Sequence, residues 1–318
     1  MHSIELSRED WLALHRTPGV ITASQVPTIL GLNKWCSPFT LFQQFRGRVP
    51  WPDESIAMMM GHAAEPVIDK LYRRATGRDT SDLGDYAVVQ HPDPSLDWLY
   101  CTTDRLIHDP QRKEPGVLEL KHSGMWIWPD GEAPPLDYQA QIQIQMDICG
   151  VQWGSLAMVY SNRSFRYCDV EINPAFVAAT KTAIRQFRDR VLNDEPPAVD
   201  GTESTTGALK CLYPYDSGEV VQWAGLGEVA ICLAAVEVEK KVVLEREAEL
   251  KNQIRAVMRD GTIIEGSGYS FSNRAQTRAG YLRVPAELRD RLTASAIKFT
   301  ETEPSEYRVL RQMKQKGE

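Results

Sequence analysis

The sequence predicts an α/β domain extended at its C-terminal side by a long helix and a small β-hairpin. Three observations carry the expectation. Two strand-like runs, Trp98–Thr103 and Val117–Lys121, enclose the charged, Pro- and Gly-marked stretch Asp109–Gly116, which reads as a hairpin loop. Helical stretches lie on both sides of that pair, at 55–75 by a three–four repeat and at 135–150 by its end signals and length. From Leu226 to Val257 a third such repeat runs on far longer, with Lys240 and Glu247 falling in phase.

The first helix opens with Ser7 as its cap and carries Trp11, Leu12 and Leu14 before Pro18-Gly19 stops it. A second, short helix starts in Thr22-Ala23-Ser24 and closes at Gly31, and a third begins at Ser37-Pro38. Ser24 is either a plain cap or, with the free amides of a helix start, a phosphate holder. Over 55–75, Ile56, Met59, Met60, Ala63, Ala64, Val67, Ile68, Leu71 and Tyr72 make a core-facing stripe. Gly61 and Glu65 lie on that stripe one turn apart, with Pro66 next. A carboxylate beside an apolar face wants a cation, and Pro66 marks at least a kink.

Tyr86–Gln90 reads as a strand, and Met125–Pro135 as an aromatic, Pro-rich loop. The alternating Gln/Ile run within Pro135–Gly150 also fits a strand, but Asp137 at the start, Gly150 at the end and the length favour a helix, which sets Gln141 and Gln145 on one face. These amides either orient groups at a polar site or decorate a polar surface. A hairpin at Trp153–Ile172 and a helix from Asn173 to about Asn193 complete the domain. Residues 1–197 form the core, the Ser/Thr-rich 198–222 reads as a linker, and 223–318 as an accessory module for partner binding or oligomerisation. Within that module, Thr262–Phe271 reads as a hairpin and Tyr281–Val284 as a further strand.

Composition narrows the class. A hydrophobic share of 42% and a charged share of 25% belong to an ordinary globular protein. No apolar run reaches membrane-spanning length, and Met1–Glu5 has no signal-peptide pattern. The six cysteines show no CxxC, which points to reduced, cytosolic thiols rather than a zinc ribbon. A net charge of −7 is not the footprint of a non-specific nucleic-acid binder. It still permits one basic groove, for which Lys34, Arg46, Arg48, Arg73, Arg74 and Arg78 are the candidates.

The chemistry centres on Asp104 and, fifteen residues on, Glu119-Leu120-Lys121. Strand alternation sends Glu119 and Lys121 to one face and Leu118 and Leu120 to the other. Pairing of the two strands would bring Asp104 beside Glu119. The bland alternative is an exposed, salt-bridged edge strand. Two carboxylates and an ammonium converging at a sheet end otherwise call for a hard cation, Mg²⁺ or Mn²⁺, or a phosphate.

The order of these motifs resembles the YqaJ-like viral recombinase family, the phage lambda exonuclease family of PD-(D/E)xK nucleases. The resemblance covers residues 11–195 and rests on Arg16 to Ser24, Gly61-x-x-x-Glu65, Asp104 with Glu119-x-Lys121, and Tyr138-Gln139-Ala140-Gln141. It implies a restriction-endonuclease-like core, a mixed β-sheet flanked by helices. It also implies a Mg²⁺-dependent exonuclease, with Mn²⁺ as a substitute, that degrades one strand of linear double-stranded DNA, typically from the 5′ end. By the same resemblance Asp104, Glu119 and the Leu120 carbonyl bind metal, with Glu65 as a further metal-side carboxylate. Lys121 positions or deprotonates the attacking water, Gln141 orients, and Ser24 with Arg16 holds a substrate phosphate. The expected setting is phage or prophage recombination in a bacterial cytosol, as a homo-oligomer working with a single-strand annealing recombinase. The rival expectations are a restriction or defence endonuclease and a catalytically silent DNA-binding or assembly protein.

Overall fold

In a computed structural model the chain divides into two compact units, residues 1–218 and 219–318. The residues described are 3–125, 128–129, 131–161, 163–267, 269–278 and 305–312. The first unit begins β1 (Ser3–Glu5), α1 (Arg8–Arg16), β2 (Ile21–Thr22), a 3₁₀ turn (Ala23–Gln25) and α2 (Val26–Ile29). It continues with α3 (Pro38–Phe45), α4 (Ile56–Thr76), β3 (Asp79–Ser81), β4 (Ala87–Gln90), β5 (Leu99–Cys101) and β6 (Arg105–His108). The remainder is β7 (Gly116–Ser123), α5 (Leu136–Cys149), β8 (Trp153–Tyr160), β9 (Ser164–Glu171), α6 (Pro174–Asn193) and α7 (Glu203–Leu212).

Local chemistry explains the helix ends. The Ser7, Ser37 and Ser55 hydroxyls accept from the backbone N–H groups of Asp10, Thr40 and Met58, and Asn173 caps α6 in the same way. Helix α5 closes on Gly150 at φ 69°, a left-handed position that glycine adopts without strain.

The α/β expectation of a mixed sheet flanked by helices is met. Five strands run in the order β3-β6-β7-β8-β9, with β7 and β8 parallel and the other neighbours antiparallel. A parallel pair needs a crossover, and α5 supplies it. On one face, Ile68 and Tyr72 of α4 pack with Leu118 and Leu120. On the other, Ile142 and Met146 of α5 join a larger cluster with Val117 and Leu106. A second sheet, β1-β4-β5-β2, adds Val89, Leu99, Cys101 and Ile21 to that cluster. Leu118 and Leu120 thus enter the core under α4, and Glu119 and Lys121 are left on the α5 side.

Three expectations are corrected. The run Trp98–Thr103 does not pair with the Glu119 strand: its ordered part, β5, lies in the other sheet beside β4 and β2. The partner of β7 is β6, which begins one residue after Asp104. Aromatic and β-branched composition predicts a strand but is silent on which neighbour it takes. Secondly, the stripe on α4 is core-facing only in its C-terminal half. Ile68 and Tyr72 are buried, whereas Ile56 is 76% exposed because the sheet underlies only part of the helix, and Val67, next to Ile68 but turned about 100° from it, is 59% exposed. Pro66 does not end α4, which continues to Thr76. Thirdly, the expected linker 198–222 contains α7, whose Ala208 packs on Phe39 and Val49. Its Ser204 and Thr205 hydroxyls bond to Thr40 and Ser37 at 2.8 and 2.7 Å. The Ser and Thr residues that read as linker are capping and cross-bridging groups.

Arg78, a groove candidate by sequence, is instead a structural cation. It meets Asp109 at 2.8 Å and both oxygens of Asp169 at 2.7 Å, donates to the Tyr72 hydroxyl, and lies over the Trp153 ring. Burial pushes the Asp169 carboxyl up, but Arg78 and Ser155 outweigh it and hold Asp169 below the usual carboxylate range. A depressed folded-state pKa contributes stability at neutral pH that is lost as pH falls through it. Arg78→Ala should therefore destabilise the unit by about 3–5 kcal/mol in urea unfolding at neutral pH, and by less as the solution is acidified.

The second unit holds α8 (Leu226–Met258), β10 (Ile263–Gly266), β11 (Tyr269–Arg278) and β12 (Ser305–Gln312). The long helix and the hairpin match expectation, and β12 adds a third antiparallel strand along β11 that was not foreseen. The expected strand at Tyr281–Val284 lies outside the described residues, as do Trp126 and Ile127 of the aromatic loop. Among the described residues no helix is long and apolar enough to cross a membrane.

Candidate active site

Strand β7 and helix α5 build the site between them. Glu119 is only 2% exposed, so its charge needs partners on every side. One carboxylate oxygen accepts from Gln141 Nε2 at 2.6 Å, the other from Gln145 Nε2 at 2.6 Å. Lys121, two residues along the same strand face, forms an ion pair with Glu119. Its Nζ also donates to Gln141 Oε1 at 3.1 Å and stands 5.2 Å from the centre of the Tyr138 ring. Gln145 reaches further, to the Thr102 carbonyl at 3.1 Å, and so ties α5 to the segment that leads into Asp104.

Asp104 enters from the other side. The β6–β7 ladder ends at Arg105↔Leu118. Beyond it the Leu120 N–H has no strand partner on that side and donates to Asp104 Oδ2 at 2.6 Å. In a strand the N–H and C=O of one residue point the same way. The Leu120 carbonyl therefore faces the gap that Asp104 fills.

Glu65 completes the group from α4, hydrogen-bonded to His62 Nδ1 at 3.1 Å. Burial first, then the carboxylates of Glu119 and Glu65, push Asp104 well above the ordinary carboxylate range. Lys121 moves the opposite way to a lone buried amine: burial lowers it, but Glu119 and Asp104 outweigh that and hold it charged. Ionising all three carboxyls against one ammonium would leave an excess of negative charge, which is what pushes Asp104 up and what a divalent cation would neutralise.

The donor set fits Mg²⁺. It offers carboxylate oxygens from Asp104, Glu119 and Glu65 and one backbone carbonyl, all hard ligands. Two buried polar atoms, Thr103 Oγ1 on the residue before Asp104 and Gln145 Oε1 on the side chain that bonds Glu119, have no hydrogen-bond partner among the described residues. Buried polar groups are rarely left so, and the waters that a hydrated Mg²⁺ keeps would satisfy them. Among the described residues no three His, Cys, Asp or Glu side chains already close on a single point as ligands. The amides and Lys121 occupy the oxygens of Glu119 instead.

The other expected residues make no bond to this group among the described residues. Arg16 is exposed at the end of α1. Ser24 is exposed in the 3₁₀ turn, which packs on α5, and its hydroxyl meets Thr22 Oγ1 at 3.0 Å. Among the described residues no hydrogen bond or ion pair joins either to the carboxylates. Of the groove candidates, Arg46 and Arg48 pair with Asp194, Arg73 with Asp79, and Lys34 lies over Trp35.

The model of the YqaJ-like viral recombinase domain matches residues 10–152. Every residue of the carboxylate group and both glutamines fall inside that stretch. The chain is also 27% identical over 265 residues, 80% of each sequence, to the uncharacterized protein YqaJ of Bacillus subtilis (strain 168). Two solved structures resemble it in fold. One is an alkaline exonuclease from Laribacter hongkongensis, 22% identical, TM-score 0.44, covering 59% of this chain and 94% of that one. The other is a phage-related exonuclease from Haemophilus somnus 129PT, 13% identical, TM-score 0.38, covering 55% and 95%. The matched stretch ends before β8, so the strand parallel to β7 lies in sequence beyond the match.

The resemblance assigned a role to Gln141 but not to Gln145, Tyr138 or His62, each of which touches a member of the carboxylate group. The signal for Gln145 was present as the i, i+4 spacing from Gln141 on one helix face. His62 carried a like signal, since it stands three residues before Glu65 on the same helix.

Proposed function

We propose that this chain is a Mg²⁺-dependent deoxyribonuclease that hydrolyses one strand of linear double-stranded DNA from its 5′ end, in phage-type recombination beside a single-strand annealing protein. The observation that supports it most is the meeting of Asp104, just before β6, with Glu119 and Lys121 of β7, near enough to α4 that the Glu65 charge also acts on Asp104.

Bound Mg²⁺ would supply charge neutralisation at the scissile phosphate, activation of the water and stabilisation of the leaving 3′-oxygen. The protein's own residues would do the rest. Asp104, Glu119, Glu65 and the Leu120 carbonyl hold the cation. Gln141 and Gln145 fix the Glu119 carboxylate, so that its orientation does not change with occupancy. Lys121, kept positive by its neighbours, positions the attacking water and lowers the cost of a hydroxide beside it, rather than taking its proton. Ser24, with Arg16, is assigned the terminal 5′ phosphate of the substrate.

The test follows linear duplex DNA labelled at its 3′ ends, with and without a 5′ phosphate, beside a closed circular plasmid. In Mg²⁺ the linear duplex should shorten on one strand, faster with the phosphate, while the circle stays intact. Chelator should stop all of it. A nicked plasmid would establish an endonuclease, and no cleavage in Mg²⁺ or Mn²⁺ would leave a silent DNA-binding protein.

A further inference from the structure

Helix α8 is 33 residues long, about 50 Å, yet Met258 is its only buried residue among those described. Apolar residues recur along it in a heptad that Lys240 and Glu247 interrupt. One position of the repeat holds Leu226, Leu233, Lys240, Glu247 and Ile254; the other holds Val229, Val236, Val243, Leu250 and Val257. Side chains of the second set are 45–72% exposed, which marks a face built to be covered.

The charges on that face decide what covers it. We propose that α8 pairs with α8 of a second copy of this chain, as an antiparallel two-stranded coiled coil. Antiparallel pairing sets each residue of one heptad position against the other position of the partner. Centred on the helix, it places Leu226 opposite Val257, Leu233 opposite Leu250 and Lys240 opposite Val243, so all five heptads overlap. Lys240 then stands about 6 Å along the axis from the partner copy's residue 247, a glutamate. Helical side chains lean toward their own N-terminus. In this arrangement Lys240 and that glutamate lean toward each other, and the two copies of Lys240 lean apart. On the flank, Glu239 comes opposite the partner copy's residue 246, an arginine. Within its own helix Glu247 already takes Lys251 and Arg246 takes Glu249, so these ends are preset at the helix surface.

A parallel pair reverses every one of these contacts. It stacks lysine on lysine at 240 and glutamate on glutamate at 247, and it places Arg246 beside the partner copy's residue 251, a lysine. Like charges at the seam are the usual bar to a wrong orientation.

Cysteine cross-linking of the full-length chain tests the proposal, because Cys232 and Gln253 are opposite each other only in the antiparallel pair. The exposed Cys211 is first replaced by serine. Gln253→Cys in that background should then give a covalent dimer with a short bis-maleimide, through Cys232 of one copy and residue 253 of the other. Those two positions lie about 30 Å apart along a single helix, too far for a link within one chain. The parent with Cys232 alone, and the Gln253→Cys chain with Cys232→Ser, should stay uncrosslinked. Lys240→Glu should remove most of the dimer, and Lys240→Glu with Glu247→Lys should restore it. A cross-link from Cys232 alone means a parallel pair and overturns the proposal. So does the absence of any cross-link, which means that α8 does not pair with itself.

Discussion

Lys121→Ala is expected to slow hydrolysis of linear duplex DNA by at least about 10³-fold, with Glu119→Gln close behind it. Lys121 is the only cation in contact with the Glu119 carboxylate among the described residues, and its charge faces Asp104 as well. Alanine removes that charge without unfolding the site, because Gln141 and Gln145 still satisfy both oxygens of Glu119. Glu119→Gln keeps the volume but loses the negative charge, and its new amide opposes the amide donors of α5. Each variant is checked by single-turnover decay of labelled duplex, alongside a thermal melt. Retention of the full rate by either one would remove that residue from the chemistry.

Gln145→Leu carries the second large effect. The wild-type amide joins Glu119 on β7 to the Thr102 carbonyl, two residues before Asp104, and so sets the spacing of two carboxylates. Leucine fills the space but leaves a buried carboxylate oxygen and a buried carbonyl unpaired, at a cost of about 1–3 kcal/mol each. Groups that orient a metal ligand in this way are typically worth about 10–100-fold in metal affinity or activity. The Mg²⁺ concentration for half-maximal cleavage should rise by that factor, while cleavage at saturating Mg²⁺ recovers in large part. An unchanged Mg²⁺ dependence would mean that Gln145 only supports packing.

Much of this site was legible because strand and helix periods are local. Alternation along Val117–Lys121 placed Glu119 and Lys121 together and Leu118 and Leu120 in the core. The caps at Pro135 and Gly150 bounded a helix that puts Gln141 and Gln145 on one face. What escaped depends on partners distant in sequence. Trp98–Thr103 reads as a strand whichever sheet it enters, and only packing with Ile21 and Val89 assigns it to the second. Arg78 resembles any surface arginine until Asp109 and Asp169 close around it. Ser204 and Thr205 have a linker's composition, and their use as bridging hydroxyls requires α3 to be in place. The apolar period of α4 persists past the edge of the sheet beneath it, so Ile56 and Met60 shared the pattern of Ile68 without its burial.

The account depends on a divalent cation binding where Asp104, Glu119 and the Leu120 carbonyl meet. Crystals soaked in Mn²⁺ and measured at the manganese absorption edge test this most directly. The account predicts an anomalous peak about 2.0–2.3 Å from oxygens of both carboxylates, lost in Glu119→Gln. A peak confined to other carboxylates, or none at this point in a crystal that takes up Mn²⁺ elsewhere, would contradict it.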